Sequence, residues 1–218
     1  MSYQIAIDGP AGAGKSTIAK KVAREKGFIY VDTGAMYRAM GYYLMSAGVD
    51  LKNADEIAEK CEGADITICY KDGEQQVLLN GDNVNPYIRA EEVGKFTSGA
   101  SANPRVRQRL TDLQKKLAED NDVVMDGRDI GTCVLPGANV KVYLTAGVNV
   151  RAKRRFDELT AKGEICDIAQ IEADIAKRDE QDMNREIAPL KQAEDAVLID
   201  SSYMTIDEVV QAILKLCK

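Results

Sequence analysis

Tyr3-Gln-Ile-Ala-Ile-Asp8-Gly9-Pro10-Ala11-Gly12-Ala13-Gly14-Lys15-Ser16-Thr17 is the stretch on which the reading of this chain turns. Tyr3 to Asp8 reads as a buried strand, stopped at once by Gly9-Pro10. Lys15 to Lys26 reads as a helix with Ile18, Ala19, Val22 and Ala23 on one face, and Gly27 ends it. Between them, Gly9 to Ser16 fits G-x-x-x-x-G-K-[ST]. The glycines of such a loop let backbone N–H groups turn inward around phosphate oxygens, and the following helix presents its positive N-terminal end to them. Lys15 is placed to reach the β- and γ-phosphates, and the Ser16 hydroxyl suits Mg²⁺. The ordinary alternative is a glycine-rich turn that merely caps a helix. The strand–loop–helix context is the one a phosphate cradle requires, so the expectation is nucleoside triphosphate binding.

Outward from the loop, Phe28 to Asp32 reads as a second strand, and Thr33 as the cap of a helix running from Gly34 to about Ala47, stopped by Gly48. Two buried strands flanking a helix form a βαβ unit and imply a parallel sheet. A short helix is expected over Asp55 to Glu62. The pattern then changes: Ala64 to Tyr70 alternates apolar and polar residues, Lys71-Asp72-Gly73 is a hairpin signal, Gln76 to Leu79 follows, and Asn80-Gly81 precedes a third extended piece near Val84. This is a small antiparallel sheet over about 63–92, inserted in a parallel α/β protein. Helices are expected at about Ala90–Ala102 and Pro104–Glu119, strands at Val123–Asp126, Val140–Leu144 and Ala196–Asp200, and helices at Val150–Ala161 and Ile168–Asn184. Thr205 to Leu216 is an amphipathic helix with Ile206, Val209, Val210, Ile213 and Leu214 inward. Five core strands alternating with helices make a three-layer α/β/α architecture.

Composition bounds the chemistry. The chain has 218 residues, 29 Lys plus Arg against 35 Asp plus Glu for a formal net charge of −6, and 45% hydrophobic residues, so it has the material for a core. Histidine is absent, which removes Ser-His and Cys-His pairs, a His general base and His-ligated metals. The five cysteines (Cys61, Cys69, Cys133, Cys166 and Cys217) show no C-x-x-C spacing and read as reduced thiols rather than a zinc site. The acidic balance argues against nucleic-acid binding. No signal-peptide pattern and no apolar run of ~18 residues is present, so the expectation is a cytoplasmic protein with no membrane contact.

A cradle does not name a reaction. A GTPase switch would carry an N-K-x-D base reader, which is missing, and a motor ATPase would show an acidic pair where Asp126 is followed by Gly127. Asp126 lies at a strand's carboxyl end, where a metal-bound water would be held, or it is a plain strand-to-turn Asp. Arg38, Arg107, Arg128, and the Arg178, Asp182, Arg185 series stand near strand ends or on helix faces. Each alone has an ordinary reading as a helix start or a solvated ion pair; beside a phosphate cradle they point jointly to a second anionic ligand.

Gly9-Pro-Ala-Gly-Ala-Gly-Lys-Ser-Thr17, Asp32-Thr-Gly-Ala-Met-Tyr-Arg38, Asn103-Pro-Arg-Val-Arg107, Asp126-Gly-Arg-Asp-Ile-Gly-Thr132 and Lys177-Arg-Asp-Glu-Gln-Asp-Met-Asn-Arg185, in that order, resemble the bacterial cytidylate kinases over about residues 3–217. The resemblance implies a P-loop kinase fold in a single domain, comprising a core (1–62, 103–150, 188–218), an acceptor-binding insert (63–102) and a helical lid (151–187). It implies transfer of the γ-phosphoryl group of MgATP to CMP or dCMP, by a monomer. Gly9, Pro10, Ala11, Gly12, Ala13, Gly14, Lys15, Ser16 and Thr17 would bind ATP, with Arg151 and Arg155 as lid arginines, though Arg154 fits nearly as well. Ser16 and Asp126 would hold Mg²⁺. Ser98, Arg107 and Asp129 match residues that contact cytosine, whose N4 amino group suits a carboxylate and whose N3 and O2 suit donors. Arg178 and Asp182 match ribose contacts, Thr33 sits in the acceptor motif, and Arg38, Arg128 and Arg185 match the grip on the monophosphate. Lys15, Arg128, Arg155 and Arg185 would neutralise the transferred group. Thr33 replaces a Ser that many members carry, and Gln181 stands where others carry a basic residue.

Overall fold

Residues 2–71 and 74–217 are described by the computed structural model. Strand β1 (Gln4–Asp8) pairs in parallel with β6 (Val123–Gly127) on one side and with β7 (Val140–Thr145) on the other, and β7 pairs in parallel with β8 (Val197–Asp200). With β2 (Ile29–Asp32) the order is β2-β6-β1-β7-β8, an all-parallel five-stranded sheet. The first two strands are therefore not neighbours. The βαβ step through α1 (Lys15–Lys26) leaves a gap that β6 fills from far along the chain. Ile5, Ile7, Val124, Val142 and Leu144 are buried because strands inside such a sheet are covered on both faces, which is why they read as apolar runs rather than alternating ones.

The chain divides into two units, residues 1–30 with 120–218, and residues 31–119. In the first, α1 and α8 (Ile206–Leu214) pack together, and Ile18, Val22, Val209, Val210 and Ile213 join the strand residues in one apolar core. Ile206, expected inward, is exposed, because the helix begins with it and Thr205 is its cap, closed by reciprocal bonds with Glu208. Helices α6 (Val148–Ala161) and α7 (Ile168–Met183) pack on each other in the same unit.

The second unit holds α2 (Thr33–Ser46), α3 (Ala54–Lys60), the three-stranded antiparallel sheet of β3 (Ile66–Lys71), β4 (Glu74–Leu79) and β5 (Asp82–Asn83), then α4 (Glu91–Ala100) and α5 (Pro104–Glu119). The cap of α2 is Asp32 rather than Thr33: its carboxylate accepts from Ala35 N at 2.8 Å, and Thr33 already lies inside the helix. Asp72 and Gly73 of the expected hairpin lie outside the described residues, while Lys71 and Glu74 face each other at the end of the β3–β4 ladder. Asn80 and Gly81 both have positive φ (51° and 90°), the backbone a two-residue hairpin turn demands. The expected insert, 63–102, lies inside this unit. The five cysteines are free thiols, and no helix among the described residues is long and apolar enough to cross a membrane.

Candidate active site

In the first unit, β1 delivers Asp8 to the carboxyl edge of the sheet and the glycine loop begins. Gly9 has φ +150°, and a Cβ there would stand 1.9 Å from the Leu144 carbonyl oxygen, so only glycine lets the loop leave the sheet along this path. Gly14 (φ +84°) is the left-handed residue from which α1 starts. Lys15 is buried, and its Nζ donates back across the loop to Pro10 O at 2.7 Å. Loss of hydration, and after it the charge of Arg128, pulls its pKa down to about 7.

Ser16 Oγ donates to Asp126 Oδ2 at 2.9 Å, and Tyr30 Oη donates to Asp126 Oδ1 at 2.8 Å. A hydroxyl and a carboxylate thus meet at the mouth of the cradle, and such oxygen donors suit Mg²⁺, which is held by one or two protein oxygens together with substrate phosphates and waters.

Asp8, in sequence only the last residue of a strand, organises the neighbouring turn. Its two carboxylate oxygens accept from Ile130 N at 2.8 Å and Gly131 N at 2.7 Å, anchoring the single π-helical turn Ile130–Val134 that follows Arg128 and Asp129. Burial pushes its pKa up to about 6 in spite of those two donors.

Asp129 is buried at the start of that turn. Arg128 Nε donates to Asp182 Oδ2 at 2.7 Å and its Nη1 to Gly127 O at 3.3 Å, while Arg185 bonds the other Asp182 oxygen. Helix α7 ends at Met183, so Arg185 lies just past it, yet one carboxylate still gathers both guanidinium groups. Burial raises the Asp182 pKa, but Arg128 and Arg185 outweigh it and hold the carboxyl below its ordinary 3.8. Because the folded value is depressed, the stabilisation is complete above the unfolded value and is lost as the pH falls through the folded one. Asp182→Asn is expected to cost about 2 kcal/mol at neutral pH, less than a fully buried pair because water reaches part of it. The difference from wild type should shrink as the pH falls below 3.8 toward the depressed folded value; urea unfolding from neutral pH into the acid range measures it, and a constant difference would contradict the ion-pair reading.

The remaining residues of this unit fall into two groups. Arg151 is buried: its Nε donates to Ala146 O at 2.8 Å and its Nη1 to Ala11 O at 2.7 Å, and it pairs with Asp179. Arg155 is exposed and pairs with Glu158 at 2.9 Å, Arg154 bonds the Ser201 carbonyl at 2.6 Å, and Arg178 is exposed on α7.

In the second unit, Asp32 receives Arg38 and Arg89, each at 3.5 Å from Oδ2. Arg89 belongs to none of the sequence motifs. Thr33 is buried, and Gly34 leaves room beside the Arg38 guanidinium, 3.3 Å from where a Cβ would be. Arg107 is buried on α5, donating to Ser101 O at 3.2 Å with its guanidinium 5.4 Å from the centre of the Tyr37 ring. Ser98 is exposed on α4 and donates to Gly94 O.

The structure therefore assembles Lys15, Ser16, Asp126, Arg128, Asp182 and Arg185 in the first unit, and Arg38 with Asp32 in the second. Asp8, Asp179 and Tyr30 escaped the sequence reading because their partners lie 122 and 123, 168 and 96 positions away, and no short motif spans such separations.

A family model described as Cytidylate kinase matches residues 5–218. The chain is 50% identical over 212 residues to a cytidylate kinase of Caldicellulosiruptor bescii, covering 97% of this chain and 94% of that one. It is 48% identical over 216 residues to a cytidylate kinase of Shouchella clausii, covering 99% and 96%. Among solved structures, an uncharacterized protein from Eubacterium ventriosum shares the fold with a TM-score of 0.52 at 13% identity, covering 98% of this chain and 97% of that one.

Proposed function

The chain belongs to the cytidylate kinase family, and from that premise we propose that it transfers the γ-phosphoryl group of ATP to CMP, and to dCMP, giving ADP and the corresponding diphosphate. The observation that carries the reading is the convergence on one sheet edge of the loop with Lys15 and of a carboxylate, Asp182, that holds Arg128 and Arg185 side by side. The first suits a polyphosphate and the second a phosphate dianion.

The attacking atom is an oxygen of the CMP phosphate. A bond forms from it to Pγ as the bond from Pγ to the β-bridging oxygen breaks, and ADP leaves with that electron pair. The nucleophile is mostly ionised at neutral pH, since the second pKa of a phosphate monoester is about 6. No general base is required, which accounts for an active chain without histidine. What the protein supplies is alignment and neutralisation of charge.

Lys15 and the loop amides hold the donor, Arg128 and Arg185 grip the acceptor phosphate, and the motif that carries Arg38 assigns it a role in acceptor binding. Asp129, Arg107 and Ser98 read cytosine, Asp182 and Arg178 the ribose, and Thr33 lines the acceptor region. Arg155 meets the donor phosphates from the lid. The proposal retains an acceptor-binding insert at 63–102 and a lid at 151–187. Ser16 and Asp126 would hold Mg²⁺, which shields phosphate charge when bound. The protein is taken to be a cytoplasmic monomer with neither nucleic acid nor membrane as partner.

An acceptor screen by coupled ADP release tests this directly. CMP and dCMP are expected to turn over well and AMP poorly; a preference for another nucleotide moves the chain to a different acceptor, and ATP binding without acceptor-stimulated ADP release makes it a nucleotide-binding regulator. Asp129→Ala is expected to raise KM for CMP by about 10- to 100-fold, as when a polar site loses its partner for one substrate group, with KM for ATP nearly unchanged. Equal rises in both would remove Asp129 from base reading.

A further inference from the structure

Helices α6 and α7 are joined to the glycine loop by one buried ion pair that grips a single loop residue on both sides. Asp179 Oδ1 accepts from Ala11 N at 3.1 Å, and Arg151 Nη1 donates to Ala11 O at 2.7 Å. The two side chains pair with each other at 2.6 Å, and Arg151 Nε is tied to Ala146 O at 2.8 Å. Arg151 is 3% exposed and Asp179 6%. Two charges so far from water persist only when each is paired and hydrogen-bonded, and here the additional bonds go to the loop backbone.

The geometry of a trans peptide gives this arrangement a consequence. In each planar unit the C=O and N–H point in opposite directions. The Pro10–Ala11 unit sends its carbonyl to Lys15 Nζ and its N–H the other way, to Asp179. The Ala11–Gly12 unit sends its carbonyl to Arg151, so the Gly12 N–H points away from the ion pair. Gly12 itself backs onto the same helices: a Cβ there would lie 3.5 Å from Arg151 Cβ and 3.9 Å from Ile175 Cδ1. Two successive peptide planes are thereby locked with opposite orientation.

We propose that Asp179 and Arg151 are positioning residues that act on the phosphate cradle through Ala11, setting the orientation of the Pro10–Ala11 and Ala11–Gly12 peptides before ATP arrives. Arg151 then serves donor binding from behind the loop, with its fork on backbone and carboxylate. An unclamped loop would have to order these peptides when ATP binds, and that conformational entropy would be subtracted from affinity. The proposal rests on the reading of this loop as the ATP site.

The test uses the full chain and three variants, Asp179→Ala, Asp179→Asn and Arg151→Lys, with three readouts. These are amide hydrogen exchange at Ala11 and Gly12, the dissociation constants of ATP and of CMP measured separately by calorimetry, and steady-state kinetics. Asp179→Ala is expected to speed exchange at Ala11 by at least about tenfold and to weaken ATP about tenfold, the scale of one charged hydrogen bond. KM for ATP should rise with it, while CMP binding stays within about twofold. Asp179→Asn keeps an acceptor for Ala11 N and should recover part of the ATP affinity. Arg151→Lys keeps the charge but not the fork, and should fall between wild type and Asp179→Ala. If Asp179→Ala does not fold, the other two variants carry the test. Wild-type exchange and ATP affinity in the folded variants would overturn the clamp, as would ATP and CMP binding weakened in equal measure. A wild-type chain that bound no ATP would instead fail the functional reading.

Discussion

Lys15→Met is expected to lower kcat by about three orders of magnitude, the scale seen when a preorganised charge is removed from a transition state, without lowering the thermal midpoint. The two halves of this expectation come from the same fact. Lys15 is buried beside the loop, where lost hydration and the Arg128 charge both work against its ammonium form. In the free protein the group is therefore costly, and its partner is the Pro10 carbonyl rather than a carboxylate. Met preserves the length and apolar stem and removes the charge, so the fold loses one hydrogen bond and is relieved of a desolvated cation. In the proposed mechanism, with the donor bound, the same cation would face the charge that develops on the transferred phosphoryl group. Coupled ADP release and calorimetric melting at pH 6.5, below the Lys15 pKa of about 7 so that the ammonium is present, measure both halves. A Lys15→Met protein with more than about a tenth of wild-type turnover would remove Lys15 from the transferred phosphate, because a factor of ten is only about 1.4 kcal/mol of transition-state stabilisation. A variant that melts well below wild type would show that the ammonium is structural.

Arg128→Ala is the second large effect, with a fall of about 100- to 1000-fold in kcat/KM for CMP and a smaller change for ATP. Arg128 is held by two bonds, Nε to Asp182 at 2.7 Å and Nη1 to Gly127 O at 3.3 Å, so its guanidinium is oriented before any ligand binds. Asp182 also holds Arg185, and in the proposed function the two forks together would receive a phosphate dianion. Removing Arg128 subtracts a fork and leaves Asp182 with less compensation for its burial, so its carboxyl pKa should rise. Arg128→Lys should restore little, because an ammonium cannot bond Asp182 and a phosphate oxygen in the same plane. Full rescue by Lys would mean that Arg128 acts only as a point charge. A fall in ATP affinity that exceeded the loss toward CMP would place the residue on the donor side.

Much of this was legible in the order of residues because the signals are local. Gly9 to Ser16 specifies its own conformation: glycines at positive φ, then a helix N-terminus, then Lys and Ser one after the other. The five strands and the small antiparallel sheet could be located to within a residue or two because apolar runs, alternation and Asn-Gly turns each extend over fewer than ten residues. The errors lie where a local rule met a competitor. Thr33 and Asp32 are both good caps, and the strand's exit gave the position to Asp32. Arg151, Arg154 and Arg155 look alike in sequence; packing buries the first against Ala11 and Asp179, sends the second to Ser201, and leaves the third exposed with Glu158.

The amino-acid order by itself determined the phosphate-binding loop, the element types and the family, because those rest on near-neighbour spacing and on backbone freedom that only glycine has. Tertiary structure alone decided that β6 comes between β1 and β2, that Asp8 anchors the turn after Asp129, that Asp182 gathers two arginines, and that Asp179 and Arg151 close on Ala11. Each of those is a contact between groups brought together by burial of a common core. Its energy depends on distance in space and on exclusion of water, neither of which is written in separation along the chain.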